Sequence, residues 1–270
     1  MDVLIVGAGS MGTWFGDAID ASVAFADVDP DAAAAAADRI EDAEVAALEG
    51  DDRYDVVCLA VPMTHVEDAV ADHAPRARRA VVDVSGVMEP ALEAMQNCAA
   101  DLERLSLHPL FAPERAPGSI AVVRDRDGPA TEALLEALEA RGNDLVETTP
   151  AEHDEAMETV QATTHAAVLA FALAADGSAV PDGFETPIYD RLETLAEQVT
   201  DGSPRVYADI QDAFDGADAV AAAAAEIASA DGREFEELYR EAGERWANDA
   251  DTPGDADPAT DDHADGSDTT

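Results

Sequence analysis

The sequence predicts an α/β chain: a doubly wound, mainly parallel sheet over residues 1–149, followed by an all-helical domain over 150–247. Up to residue 147, short apolar runs alternate with helix-compatible stretches, the pattern of parallel strands covered on both faces. Beyond Thr149-Pro150 strand patterning stops, while helical periodicity continues to about Trp246. The remaining residues, 248–270, are rich in aspartate, carry no lysine or arginine and are expected to be disordered.

Element by element, strands are expected at 2–6, 22–26, 55–60, 79–84, 105–107, 119–123 and 144–147. Helices are expected between them, at 10–19, 30–40, the stretch after Thr64, 89–100 and 129–141. Pro30 suits a first helical turn, and Thr64 is a candidate cap. In the second domain helices are expected at 151–175, 185–200, 204–230 and 233–247, interrupted by Gly and Pro at 177–187 and 202–204.

The chain has 270 residues and is 47% hydrophobic, enough to bury a core. Sixty acidic residues face fifteen basic ones, all of them arginine, for a net charge of -45. In dilute salt that charge is self-repelling; concentrated salt screens it, which suggests a halophilic protein in a salt-rich cytoplasm. The same charge argues against nucleic-acid binding. The absence of lysine excludes Schiff-base chemistry. Cys58 and Cys98 are isolated and read as neither disulfide nor metal ligands, so no metal is expected. No secretory leader and no membrane span is expected, which points to the cytoplasm.

Residues 7–12 read Gly7-Ala8-Gly9-Ser10-Met11-Gly12. This GxGxxG follows a strand and opens a helix, the context in which it binds a dinucleotide on a Rossmann-like sheet. Gly7 permits the tight turn, Gly9 admits the pyrophosphate to the backbone, and Gly12 lets helix and strand approach. The diphosphate then lies on the helix N-terminus. Asp27, ending the second strand, is placed to accept hydrogen bonds from the adenosine ribose. No arginine precedes Arg39 to receive a 2′-phosphate, so NAD is favoured over NADP; FAD is a rival for which the chain is short. Val61-Pro62, at the carboxyl end of a strand, is expected near the nicotinamide or, equally, to be a plain turn.

Of the histidines, His108 ends a strand on the cofactor-facing edge, while His153 and His165 share the first helix of the second domain. These segments carry a family resemblance. Residues 108–114 (HPLFAPE) resemble the HPxxGxE-type signature of prephenate dehydrogenases. Residues 152–165 (EHDEAMETVQATTH) resemble that family's HDxxxAxxSHLPH helix, and residues 203–210 (SPRVYADI) its late NP-x-x-Y segment. With the fingerprint, the resemblance covers residues 1 to about 245 and has the style of the archaeal members.

The resemblance implies NAD-dependent oxidative decarboxylation of prephenate to 4-hydroxyphenylpyruvate in tyrosine biosynthesis. It implies that His108 accepts the proton of the ring hydroxyl, that Glu114 shapes the pocket, that His153-Asp154 orients the helix and that His165 lines the cleft. The family's DxxSVK segment reads Asp83-Val84-Ser85-Gly86-Val87-Met88 here, with Ser85 as the substitute serine. The family's carboxylate-binding arginine falls at Glu197 or Gln198. Arg191 is the nearest candidate, with Arg115 and Arg205 in reserve. Arogenate is an alternative substrate. Another two-domain dehydrogenase, of hydroxy acid or imine type, and a non-catalytic dinucleotide sensor remain alternatives. The alanine-rich helices suggest a homodimer.

Overall fold

The structure, a computed structural model, describes residues 1–175, 180–181 and 183–247. The acidic tail, residues 248–270, lies outside the described residues. By internal contacts the chain divides into two units, Met1–Val220 and Ala221–Thr270.

The first unit is built on eight strands: β1 (Asp2–Val6), β2 (Ser22–Ala26), β3 (Glu44–Val45), β4 (Tyr54–Leu59), β5 (Ala77–Asp83), β6 (Glu103–Pro109), β7 (Ser119–Arg126) and β8 (Asp144–Glu147). Their order in the sheet is β3-β2-β1-β4-β5-β6-β7-β8, and β6 and β7 form its one antiparallel pair. The order in which successive strands are added reverses between β1 and β4, which opens a crevice at the carboxyl ends of those strands. The expected strands are all present. β3, two exposed residues at the sheet edge, was not expected, because so short a run carries no periodic signal.

Alternate residues of the inner strands feed opposite cores. Val3, Ile5, Phe25, Cys58 and Leu107 pack with Phe15 of α1 (Ser10–Ala18), Ala33 of α2 (Pro30–Ala37) and Leu134 of α5 (Pro129–Ala140). Leu4, Val6, Leu59 and Val81 pack with Val66 and Val70 of α3 (Val66–His73) and with Leu92 and Met95 of α4 (Glu89–Cys98). Both faces of the strands are buried, so they read as continuous apolar runs. At α2, Asp29 caps the Asp31 amide at 3.0 Å and Pro30 occupies the first turn. Thr64 does not cap α3. Met63–His65 form a 3-10 turn, and the helix starts at Val66 without a side-chain cap.

The expected helix at 151–175 is three segments. α6 (Pro150–Met157) leads into a π-helical stretch, Glu158–Thr163, and then α7 (Thr164–Ala174). Thr163 and Thr164 donate their hydroxyls to the carbonyls five residues back, at 2.9 and 3.0 Å. α8 (Pro187–Thr200) follows. The expected helix at 204–230 is broken into α9 (Pro204–Ala213) and α10 (Gly216–Ser229) by extended backbone at Phe214. The break lets Gly216 lie against the backbone of Ala162 and Thr163, in the space that a Cβ would fill. Within the second unit, α11 (Gly232–Ala247) exposes Phe235, Tyr239 and Trp246. Among the described residues no helix is long and apolar enough to cross a membrane.

Gly216→Ala is expected to lower stability by about 1–3 kcal/mol through overpacking against backbone. Gly232→Ala, where a Cβ meets open space, should change it by less than about 1 kcal/mol. Urea unfolding in molar salt checks both.

Candidate active site

The glycine turn has the geometry its motif requires. Gly7 sits at φ 100° with its amide on the Ala26 carbonyl at 2.8 Å, and a Cβ there would strike the Ala60 carbonyl. At Gly12 a Cβ would strike the Gly7 carbonyl, so the turn and α1 close only around glycine. Nothing lies within 4 Å of a Cβ at Gly9, which leaves open space over the helix start. α1 has no side-chain cap there, so its first amides point into that space. Ser10 is exposed and Met11 half-buried on the first turn.

Asp27 is held in place by two amides, Ala8 at 2.6 Å and Asp29 at 2.8 Å, one on each carboxylate oxygen. Each oxygen keeps a lone pair for a diol. These residues fit a dinucleotide: an uncapped helix start, an open backbone at Gly9 and a fixed carboxylate at the end of β2. Val61 and Pro62 follow β4 at the same edge, half-buried and exposed respectively.

β6 carries His108 to the neighbouring corner, where its ring is 8% exposed. His108 Nδ1 lies 2.8 Å from His153 Nε2, and His153 Nδ1 lies 2.7 Å from Asp154 Oδ1. Asp154 also accepts the Met88 and Glu89 amides at the start of α4, both at 3.3 Å. The capping box of Thr149 and Glu152 fixes the first turn of α6, one residue before His153.

Burial opposes the charge on Asp154, but the hydrogen bonds from His153, Met88 and Glu89 outweigh it and hold the carboxyl below its ordinary value. Burial, aided by the His153 charge and resisted by Asp154, pushes His108 down to about 3. His108 is therefore neutral at physiological pH, with one ring nitrogen bare. Its Nε2 faces the Gln161 amide at 3.3 Å and lies 3.3 Å from where a Cβ of Gly86 would stand. Gly86, at φ 96°, is left-handed and lets the β5 loop pass close to the ring.

Ser85 precedes Gly86. Its amide and hydroxyl both donate to Asp83 Oδ2, at 2.9 and 2.5 Å. With its proton engaged there, the Ser85 oxygen presents lone pairs. Asp83 is fully buried, and its Oδ1 closes no hydrogen bond among the described residues. Burial raises its carboxyl to about 6, with the Ser106 and Ser85 side chains pulling the other way.

The structure thus gathers His108 and His153, with the Ser85 loop beside them through Gly86. His165 is half-buried on α7, stacked edge-on to Tyr207 of α9 at 4.7 Å between centroids, and burial lowers its pKa. Glu114 and Arg115 are exposed in a 3-10 turn after β6, next to Phe111, which stacks edge-on against Trp14 of α1 at 5.2 Å. Arg191 is exposed on α8, around an open depression shared with Asp190, Thr194 and Leu195. Arg205 reaches back to the turn after β4, 3.4 Å from His65 Nε2 and 3.7 Å from Asp209. Gln161, the His65–Arg205 contact and the burial of Asp83 were missed from sequence. Thr149-Pro150-Ala151-Glu152, a capping-box pattern, was the signal that marks the start of α6.

Comparison with known proteins bears on this site. Residues 17–122 match the family model "Prephenate dehydrogenase, nucleotide-binding domain". The chain is 37% identical over 174 residues to "4-amino-4-deoxyprephenate dehydrogenase" of Streptomyces pristinaespiralis, covering 61% of this chain and 58% of that one. It is 32% identical over 164 residues to the "T-protein" of Enterobacter agglomerans, covering 57% and 43%. The chain therefore spans about half the length of the curated relatives it matches. Prephenate dehydrogenase from A. aeolicus, solved with hydroxyphenyl propionate and NAD+, shares the fold. Its TM-score is 0.65 at 16% identity, covering 93% of this chain and 92% of that one.

Because Asp83 is raised in the folded state, ionising it costs stability. That cost is absent below its unfolded value near 3.8 and grows as pH rises through about 6. The stability of Asp83→Asn relative to wild type should therefore increase by about 1–3 kcal/mol between pH 4 and 6.5. Denaturant titrations across that range test it.

Proposed function

We propose that the chain is an NAD-dependent dehydrogenase that converts prephenate to 4-hydroxyphenylpyruvate with loss of carbon dioxide, as a step toward tyrosine. The observation that carries the reading is a buried His108 whose Nδ1 meets His153 and whose Nε2 faces the Gln161 amide, beside a glycine turn built for a dinucleotide. The match to the prephenate dehydrogenase nucleotide-binding domain supports it.

In this reading the α1 amides hold the pyrophosphate and Asp27 holds the ribose, with Val61 and Pro62 beside the nicotinamide. Bound there, NAD would supply the acceptor for the hydride of the ring carbinol. His108 Nε2 takes the hydroxyl proton, and Ser85 turns its hydroxyl from Asp83 to donate to the substrate oxygen. As the carbinol becomes a carbonyl the ring sheds its carboxylate as carbon dioxide, aromatisation drives the step, and the proton taken up returns to the phenolate oxygen. His165 lines the cleft, and Glu114 closes it from the turn after β6.

The substrate's carboxylates need a cation. Arg205 is supported over Arg191, because it reaches the strand-end turn at His65, whereas Arg191 stands exposed on α8. A second reading, an amino group in place of the ring hydroxyl, is favoured by the 4-amino-4-deoxyprephenate relative. It uses the same residues.

We further infer a homodimer in a salt-rich cytoplasm. Exposed Ile227, Phe235, Tyr239 and Trp246 on α10 and α11 are apolar surface suited to a second copy. The net charge of -45 calls for screening.

NAD reduction in molar salt with prephenate, arogenate and 4-amino-4-deoxyprephenate tests the activity. His108→Asn should lower kcat by about 10²–10⁴ with NAD affinity unchanged. Arg205→Ala should raise KM by about tenfold or more, and Arg191→Ala should leave it within about twofold. Tight NAD binding without turnover of any of the three would support a sensor instead. Lowering salt to about 10 mM, where screening reaches ~30 Å, should lower Tm sharply. An unchanged Tm would remove the halophilic reading.

A further inference from the structure

Asp154, His153 and His108 form a chain whose hydrogen-bond directions are fixed from one end. An ionised carboxylate only accepts, so His153 Nδ1 donates to Asp154. When His153 carries only that proton, its other nitrogen accepts, so His108 Nδ1 donates to it. His108 Nε2 is left bare, and the Gln161 side-chain amide points a donor at it. Both rings are buried, His153 at 3% exposed.

We propose that the proton His108 takes from substrate is relayed to His153 and rests there as an imidazolium against Asp154. This rests on the reading of His108 as proton acceptor. As the substrate O–H breaks, His108 Nε2–H forms. His108 Nδ1–H then breaks and His153 Nε2–H forms. His108 ends neutral in its other tautomer, and the positive charge lies one ring further from the reacting carbon, beside the carboxylate.

The surroundings favour that end state. A cation on His108 itself is opposed by burial. The ionisable groups acting on the pair are Asp154 from α6 and Asp83 from β5, both carboxyls; Gln161 and Gly86, which complete the contacts of His108, are uncharged. Two α4 amides keep Asp154 oriented while the charge moves. His153 and Asp154 are thus positioning residues that act through His108.

Nitrogen-15 spectra of histidine-labelled full-length protein with NAD and no substrate read this directly, with His108→Asn and His153→Gln assigning the signals. Near neutral pH both rings should carry hydrogen on Nδ1. On acidification His153 should become an imidazolium while His108 switches to the Nε2–H tautomer, and Asp154→Asn should abolish the switch. Protonation of His108 to an imidazolium before His153, or an Nε2–H tautomer of His108 already at neutral pH, would overturn the relay. The wild-type spectra decide this even if a variant fails to fold. In turnover, Asp154→Asn should lower kcat about 10–100-fold, displace the acid limb of the pH profile and leave the KM for NAD unchanged. If His108→Asn abolishes turnover and no tautomer switch is seen, the relay fails and the dehydrogenase stands. A switch without turnover of any substrate sinks the dehydrogenase instead.

Discussion

The Asp154 carboxylate, held between the α4 amides and the His153 ring, is the contact on which the candidate site depends. It joins three parts of the chain: α4 on one face of the sheet, α6 at the start of the helical segment, and β6 through His108. Charge-assisted hydrogen bonds of this kind contribute about 1.5–3 kcal/mol each. Their larger effect is orientational. Without the carboxylate either nitrogen of His153 could carry the proton, and His108 could present either a donor or a lone pair to the crevice.

Around that contact the fold supplies position rather than chemistry. The Gly7 and Gly12 approaches bring α1 onto β1 and β4, and Asp27 locks the turn from β2. The next strands along the sheet bring Ser85 and His108 to the same edge. Trp14 on α1 stacks against Phe111 just past β6, so the turn bearing Glu114 is braced on the helix that opens the dinucleotide cradle. Both halves of the proposed reaction are therefore anchored to the same small set of backbone approaches.

The sheet and its glycine turn were legible in the sequence because both are local. A buried parallel strand is a run of apolar residues, and a left-handed or crowded backbone position needs glycine whatever surrounds it. His108 was legible through its strand-end position and its resemblance to a known signature. The rest depended on information that periodicity does not carry. The π-helical stretch is one extra residue in a helix, invisible to a 3.6-residue pattern. Gln161 matters only because that residue turns it toward His108. Asp83 reads as a residue near the end of a strand that opens the DxxSVK-like segment, and only the folded sheet reveals that it is fully buried behind Ser85. The break at Phe214 serves a backbone contact with Ala162 and Thr163, far away in sequence.

The π-helical stretch also sets the phase of everything that follows it. A residue inserted into an α-helix turns the downstream part by about 100° relative to the upstream part. His153 lies before the insertion and His165 after it, so the bulge decides the angle between the face that meets His108 and the face that meets Tyr207. Helix length and angular phase are thereby uncoupled in this chain. A single-residue deletion within residues 158–163 would leave the histidine chain in place yet swing His165 to a different side of its helix, re-aiming the face that meets Tyr207.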